Sequence, residues 1–409
     1  MFKRLKKKKI KSEKPNIVDE YTKILLCNDH IDIVADACAE CYQVNTEKTY
    51  VEKQEYIRKR IATGHESILE HSNIVMLIHI NKDKLKELSY ILPYFRYLNY
   101  RIKYDDYSIY LLIGGSIRGY KHIFRNVDDL NNSILGFIKN GLYESSNSCY
   151  FEDFIKVGIM EDRFLNIPRE INPIDGTNMT LVNVDDIYTI IDELEKLKLY
   201  EDDHTIINGD RLFNINDLMD MCTVTIHWKK VSRVISQQLT RHRAAITQKS
   251  QRYVNYSNTE FLSPDQFKPD KYDSNKEYSV SLSIPNKDSV ELTGTLKEIG
   301  TGMLTIYTDL LDQGLLKEDA RAYLPNNVET SLYMTYTLRQ FIFVIKLRTD
   351  AAAQAEIQLL FNEAKSLFNK VNMDSYDNLL PFISPRYEQL LEFNKNGRFS
   401  YDGLEEELE

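Results

Sequence analysis

No run of eighteen apolar residues occurs anywhere in the 409-residue chain, so the sequence offers no helix able to span a bilayer. Met1–Lys14 is rich in lysine with no apolar segment behind it, which excludes the pattern of a secretory signal and reads as a flexible basic arm over 1–19. Cysteine is sparse and scattered, at 27, 38, 41, 149 and 222. An odd number without a framework excludes a disulfide scaffold and suits a reducing cytoplasm. Cys38 and Cys41 have the gap of a metal or redox pair, but no second pair exists, and their segment Ile31–Gln43 reads as an amphipathic helix in which both thiols pack. No repeat recurs at a fixed period. Basic excess is also lacking: the formal net charge is −9, which argues against a protein that coats nucleic acid over its whole surface.

What is present is enough apolar sequence, 43%, for a sizeable core, and a length that invites two domains or one core with a large insertion. Helical patterns lie at about 31–43 and 48–63, the second closed by Gly64, and Asn73–Ile80 reads as a strand. Residues 82–221 differ in texture: several helical patterns, a strand at Tyr107–Ile113, the turn Gly114-Gly115 and polar loops. A strand returns at Thr223–Trp228, followed by a helix from about Val231 to Arg243. Further helices are expected at about 288–313, 331–346 and 350–370. The fold class expected is α/β (α+β), a mixed sheet with long helices. Residues 82–221 are expected as an inserted, mainly helical subdomain, and 372–409 as a C-terminal extension with the acidic tail Glu405–Glu409.

Three clusters carry chemistry. Gln238-Leu239-Thr240-Arg241-His242-Arg243 precedes Gln248-Lys249-Ser250-Gln251-Arg252-Tyr253. Cations at a helix end can simply complement its dipole. If Gln248–Arg252 is extended, however, Gln248, Ser250 and Arg252 share a face, and an amide, a hydroxyl and a guanidinium in a row suit an anionic, hydrogen-bonding ligand such as a nucleotide. Gln238 and Arg241 share a helix face. The second cluster is Gly64-His65-Glu66-Ser67-Ile68-Leu69-Glu70-His71. Ser67 and Glu70 have capping-box spacing, which leaves the two histidines unexplained, and no third ligand stands at metal spacing. The third runs from Glu318 through Arg321, Leu324 and Pro325 to Thr337, Arg339, Arg348, Gln354 and Glu356. Arg339 and Arg348, nine apart, point to opposite sides of a continuous helix, so that one helix can serve two sites.

Together these segments resemble the flavin-dependent thymidylate synthases. That family carries Gly-His-x-Ser/Thr-x-x-Glu-His, then Gln-x-x-Arg-His-Arg ending in Ser-x-Arg-Tyr, then Ala-Arg-x-x-Leu-Pro, then a C-terminal Arg before Ala-Gln-x-Glu-Ile, and all four occur here in order. The resemblance covers about 20–81 and 222–371. It implies that His65, Ser67, Glu70, Arg241, His242, Arg243 and Arg339 contact FAD, with Thr337 where the family has a flavin-contacting Asn. It implies that Gln238, Arg241, Gln248, Ser250, Gln251, Arg252, Arg321 and Arg348 contact dUMP. Arg252 would stabilise the enolate-like uracil and Ser250 would orient the ring. The reaction implied is reductive methylation of dUMP to dTMP, with methylene-tetrahydrofolate as carbon donor, FAD reduced by NADPH, hydride delivered by the flavin, and no cysteine nucleophile. A cytoplasmic homotetramer with shared active sites is implied, and no metal. Three departures stand out. Six residues rather than seven separate Arg243 from Ser250, Phe343 replaces a polar position, and residues 82–221 are extra. Within them Gly114-Gly115-Ser116-Ile117-Arg118-Gly119-Tyr120-Lys121-His122 follows a strand and opens a helix, echoing Thr337-Leu338-Arg339. Its role is either packing or a contact to flavin phosphate. The rival reading is a catalytically silent member that binds a nucleotide or nucleic acid. The basic arm favours it, and the acidic chain and the want of an aromatic platform oppose it.

Overall fold

Ile74–Asn81 reads Ile-Val-Met-Leu-Ile-His-Ile-Asn and is buried along nearly its whole length. Its side chains alternate between two cores: Val75 and Leu77 join one with Tyr110 and Leu112, while Ile74, Met76, Ile78 and Ile80 join another with Ile109, Leu111 and Ile113. A strand covered on both faces needs such a continuous apolar run. The computed structural model describes residues 19–27, 30–44, 47–127, 132–144, 173–201, 212–283, 285–371 and 376–382. The basic arm before Asp19, Cys149 and the acidic tail lie outside the described residues.

Two antiparallel sheets organise the chain. The first has the order β1-β2-β4-β3, with β1 Tyr21–Cys27, β2 Ile74–Asn81, β3 Asn99–Tyr104 and β4 Ser108–Gly115. The second has the order β5-β6-β7-β11-β8, with β5 Ile174–Asp175, β6 Met179–Val184, β7 Thr223–Ser232, β8 Ala245–Gln248 and β11 Glu329–Thr337. A separate hairpin pairs β9 Tyr278–Leu282 with β10 Val290–Gly294. The helices in chain order are α1 His30–Tyr42, α2 Tyr50–Ala62, α3 Leu85–Ile91, α4 Ile117–Asn126, α5 Ser133–Glu144, α6 Ile187–Lys196, α7 Ile215–Leu218, α8 Arg233–Leu239, α9 Leu296–Asp312, α10 Lys317–Ala320, α11 Leu338–Arg348, α12 Ala355–Val371 and α13 Tyr376–Leu379. The chain is thus mixed α/β, with α11 and α12 packed against the second sheet through Phe341, Ile345, Phe361 and Phe368. No helix among the described residues is long and apolar enough to cross a membrane.

The structure corrects several expectations. Residues 82–221 contribute helices α3 to α7, but among the described residues they also form strands that are built into both sheets rather than hung on the outside. They supply β3 and β4, where β4 pairs with β2 along its full length, and β5 and β6, where β6 pairs with β7. Residues 331–337, expected as helix, belong to β11. Leu332, Met334 and Tyr336 are buried on one face while Tyr333 and Thr335 are buried on the other, so polarity does not alternate and the strand period is hidden. The helix expected from Val231 begins at Arg233, capped by Ser232, whose hydroxyl accepts from Ile235 N, and it ends at Leu239. The helix expected from 288 starts at Leu296 behind β10 and the capping box of Thr295 and Glu298.

Ser67 and Glu70 do not form a capping box. Gly64 takes φ +87°, and the amides of Gly64 and His65 bond back to Ile61 O and Arg60 O, closing α2 in a Schellman arrangement. A 3-10 helix, Glu66–His71, starts at once with His65 as its cap residue, so Ser67 falls inside the turn. The extended face expected over Gln248–Arg252 also breaks: β8 ends at Gln248, and Arg252 N donates to Ser250 Oγ at 3.2 Å in a turn.

Candidate active site

A cavity of about 600 Å³ opens where the ends of β7, β8 and β11 meet the end of β4 and the start of α4. Its size is that of a small-molecule or cofactor site. Three of the residues assigned to flavin, from three distant parts of the sequence, line it: Glu70 from the 3-10 turn, Arg243 in the bend before β8, and Thr337 at the end of β11. Thr337 is the N-cap of α11, its hydroxyl accepting from Gln340 N. Between Arg243 and Ser250 runs the short strand β8, whose Ala245–Gln248 pair with Thr335–Leu332 of β11.

Residues 82–221 line half of this cavity, of which the sequence singled out only the Gly114–His122 segment. Arg96 and Tyr97 come from the turn before β3, Ser116, Arg118, His122 and Arg125 from the α4 segment, and Asp220 from the approach to β7. Ion pairs fasten α4 to the 3-10 turn. Arg118 pairs with Glu70. Arg125 grips Glu66 with both terminal nitrogens, at 2.6 and 2.5 Å, and Lys121 lies 3.2 Å from the same carboxylate. The bond from Arg125 and the charge of Lys121 hold the Glu66 carboxyl down to about 2, against the opposing effect of burial.

His71 is fully buried behind the cavity, Nδ1 3.0 Å from Thr335 Oγ1 and Nε2 2.9 Å from Thr247 Oγ1. Burial pushes its pKa down to about 3, so it is a neutral bridge tying the 3-10 turn to β11 and β8. The two histidines of this motif therefore differ in role. His65 sits at the other end of the turn, its Nδ1 3.4 Å from Tyr42 Oη, with Arg60 lying over the Tyr42 ring at 4.2 Å. Burial and the Arg60 charge depress its pKa.

Tyr42 also contacts Tyr253, ring centroids 5.2 Å apart, and this leads to the residues assigned to dUMP. Arg252 Nε donates to Glu318 Oε2 at 3.1 Å, and Arg321 Nε donates to Glu318 O at 2.9 Å. Ser250 N donates to Cys41 O at 3.1 Å, so the end of α1 places Ser250. Gln248 Nε2 donates to Thr330 Oγ1 at 3.4 Å, and Gln251 is half-buried. The flavin-assigned cavity and the dUMP-assigned group thus lie toward opposite ends of β8, whose four residues span roughly 13 Å.

A third group joins the two sets. Arg348 Nε donates to His242 Nε2 at 2.9 Å, and Gln238 Nε2 donates to Gln354 Oε1 at 2.8 Å. Arg241 is exposed and Ser67 half-buried. Arg339 and Arg348 leave α11 toward different partners, but Arg339 does not line the cavity. Its Nε donates to Asp220 Oδ1 at 3.0 Å and its Nη1 to Phe382 O at 2.6 Å. None of the described cysteines lines the cavity; Cys38 and Cys222 are buried, and burial pushes Cys41 up to about 11. Among the described residues no group of three or more His, Cys, Asp or Glu is placed to hold a metal ion.

Comparison with known proteins points the same way. The family described as thymidylate synthase complementing protein matches residues 211–372. A probable flavin-dependent thymidylate synthase of Paramecium bursaria Chlorella virus 1 is 30% identical over 165 residues, 37% of this chain and 74% of the relative. The flavin-dependent thymidylate synthase of Geobacter sulfurreducens is 31% identical over 184 residues, 44% of this chain and 71% of the relative. That of Pyrococcus furiosus is 31% identical over 146 residues, covering 34% and 52%. The matched span holds the Arg-His-Arg, Ala-Arg-x-x-Leu-Pro and Ala-Gln-x-Glu-Ile segments, and with a relative matched over 74% of its own length the chain belongs to the flavin-dependent thymidylate synthase family.

Proposed function

We propose that this chain converts dUMP to dTMP, using methylene-tetrahydrofolate as carbon donor and FAD reduced by NADPH. The observation that supports this reading is the convergence of Glu70, Arg243 and Thr337, 267 positions apart at the extremes of numbering, on one cavity of about 600 Å³. The cavity residues fit an anionic cofactor: Arg96 and Arg243 line it without an ion pair to any described carboxylate. When bound, the flavin supplies the hydride and mediates transfer of the one-carbon unit. Arg243 then offers its guanidinium to an anionic group of the cofactor, and Thr337 offers a hydroxyl. Arg252 and Arg321, drawn together on Glu318, face the nucleotide. Arg252 stabilises negative charge developing on the uracil, and Ser250 orients the ring by hydrogen bonding.

Arg241, Arg252 and Arg321 are all exposed. That exposure supports a homotetramer in which another copy closes each site, and light scattering with a visible spectrum tests it. The decisive assay is dUMP conversion to dTMP with methylene-tetrahydrofolate, FAD and NADPH beside a no-flavin control. Turnover that requires flavin is the expected result. A protein that binds dUMP but neither binds flavin nor forms dTMP overturns the reading and leaves the silent family member.

A further inference from the structure

The joint between β4 and α4 has a counterpart between β11 and α11. In each, a hydroxyl residue at or just after the strand end caps a helix by accepting from the amide three positions on, and an arginine stands second in the helix: Ser116 with Arg118, and Thr337 with Arg339. Both caps line the same cavity. The two arginines are used differently. Arg339 does not line the cavity, being committed to Asp220 at its wall and to the backbone carbonyl of Phe382, whereas Arg118 lines it with its side chain 45% exposed and one nitrogen on Glu70.

We propose that Arg118 and Arg96 bind the diphosphate of the dinucleotide flavin, and that Tyr97 and His122 receive one of its ring systems; this assignment rests on the flavin reading above. The charge pattern of the wall supports it. Of the three carboxylates lining the cavity, Glu66 is held by Arg125 and Lys121, Asp220 by Arg101 and Arg339, and Glu70 by Arg118. Arg96 and Arg243 remain with no carboxylate partner among the described residues, and the Arg118 fork retains donors beyond the one on Glu70. A ligand with two linked phosphates matches such spaced guanidinium groups better than a single phosphate does.

The aromatic part follows from the same turn. The rings of Tyr97 and His122 meet edge to face at 4.7 Å, Tyr97 is 56% exposed, and Arg96 lies over its ring at 4.8 Å. Burial and the charges of Arg96 and Arg125 lower the pKa of His122, which favours a neutral ring beside a flat ligand. The turn reaches the cavity because α4 carries glycine under it. A Cβ at Gly119 would lie 2.5 Å from Leu98 Cδ2 and 2.8 Å from Tyr97 O.

The test titrates the full-length chain and its Arg118→Gln, Arg96→Gln, Tyr97→Ala and Arg243→Gln variants with FAD, FMN and riboflavin, reading flavin fluorescence. Arg118→Gln and Arg96→Gln are expected to lose about tenfold or more in FAD affinity, the loss of a charged hydrogen bond, and little for riboflavin. Tyr97→Ala should weaken all ring-bearing ligands whose rings it contacts. Arg96 makes no ion pair among the described residues, so Arg96→Gln keeps the test decisive if Arg118→Gln, which also loses the Glu70 pair, folds poorly. Retention of FAD affinity within about twofold in both arginine variants, with Arg243→Gln impaired, overturns this assignment alone. A wild-type chain that binds none of the three flavins overturns the flavin reading and this assignment with it.

Discussion

Arg348 Nε donates to His242 Nε2 at 2.9 Å, so a residue assigned to the nucleotide is bonded to one assigned to the flavin. The bond requires His242 Nε2 to be an acceptor, and hence the ring to be neutral. Burial and the adjacent Arg348 charge depress its pKa to about 4, consistent with that requirement. Arg348 belongs to α11, whose other end carries the Thr337 cap on the cavity. The helix therefore couples cavity and Arg-His-Arg turn mechanically.

Two histidines held neutral by burial make stability depend on pH. For both His71 and His242 the folded pKa, about 3 and about 4, lies below the ordinary 6.5. Below 6.5 the unfolded chain binds protons that the folded chain does not, so stability is full above 6.5 and falls as the pH drops toward the folded values. His71, fully buried, sets a slope of roughly 1.4 kcal/mol per pH unit in that window. Carboxylates such as Glu66, held at about 2, add their loss only below the ordinary 4.5. Urea midpoints measured across the window should decline with acid, and a His71→Asn variant, less stable at neutral pH, should show a shallower decline. Parallel profiles for the two proteins would contradict this role for His71.

Residues 82–221 should not be removable. β4 supplies the partner of β2 from Ile74 to Asn81, and β6 pairs with β7. Replacing the segment by a Gly/Ser link would leave two buried, apolar strands with open edges, which favours aggregation. It would also delete half the cavity wall. Insoluble product at every linker length is the expected outcome, and a soluble core with a cooperative thermal transition would refute it.

What the sequence made legible follows from periodicity and local chemistry. α1, α2 and β2 show in it because one face or a continuous run carries the apolar residues, and Gly64 marks a helix end by its need for positive φ. β11 was hidden because both faces are covered, and Ser67 and Glu70 matched a cap spacing that the preceding Schellman closure had already displaced. The motif residues were legible as a group, but their division was not. His65 lies with Tyr42 and Tyr253 rather than lining the cavity, and Arg339 turns to Asp220. Arg96, Tyr97 and Asp220 carried no local signal, and His122 stood out only as the end of the Gly114–His122 segment. Arg96, Tyr97 and His122 meet because the Arg96–Asn99 turn is pressed onto α4, and Asp220 joins them through Asn99, Arg101 and Arg339, tertiary events with no sequence period.

Turnover should not need a thiol. A cysteine nucleophile requires an activated thiolate close to the uracil. Cys38 and Cys222 are buried, and the Cys41 thiol is pushed up to about 11 by burial. Replacing Cys27, Cys38, Cys41, Cys149 and Cys222 by Ala or Ser should leave kcat within about tenfold, or roughly 1.4 kcal/mol of barrier. Arg252→Ala should cost more, on the order of 3 kcal/mol, if the proposed role of its charge at the developing anion holds. A cysteine-free protein that binds FAD and dUMP as the wild type does but forms no dTMP would refute this account.

A matched pair of glycine substitutions separates helix propensity from the close approach that shapes the cavity. Gly119 in α4 and Gly136 in α5 are both helical, and Gly→Ala in an open helix position stabilises by up to about 1 kcal/mol. At Gly136 a Cβ meets nothing within 4 Å, so Gly136→Ala should raise the melting temperature. At Gly119 the same Cβ would meet Leu98 Cδ2 at 2.5 Å and the Tyr97 carbonyl oxygen at 2.8 Å. The Leu98 terminus can rotate away, but the backbone oxygen cannot move without carrying the Arg96–Asn99 turn with it. Overpacking of this kind costs about 1–3 kcal/mol and exceeds the propensity gain, so Gly119→Ala should lower the melting temperature. Because the displaced turn carries Arg96 and Tyr97, FAD affinity should fall in Gly119→Ala and stay unchanged in Gly136→Ala. Equal melting shifts of the same sign in the two variants would show that the turn does not press on α4 as described.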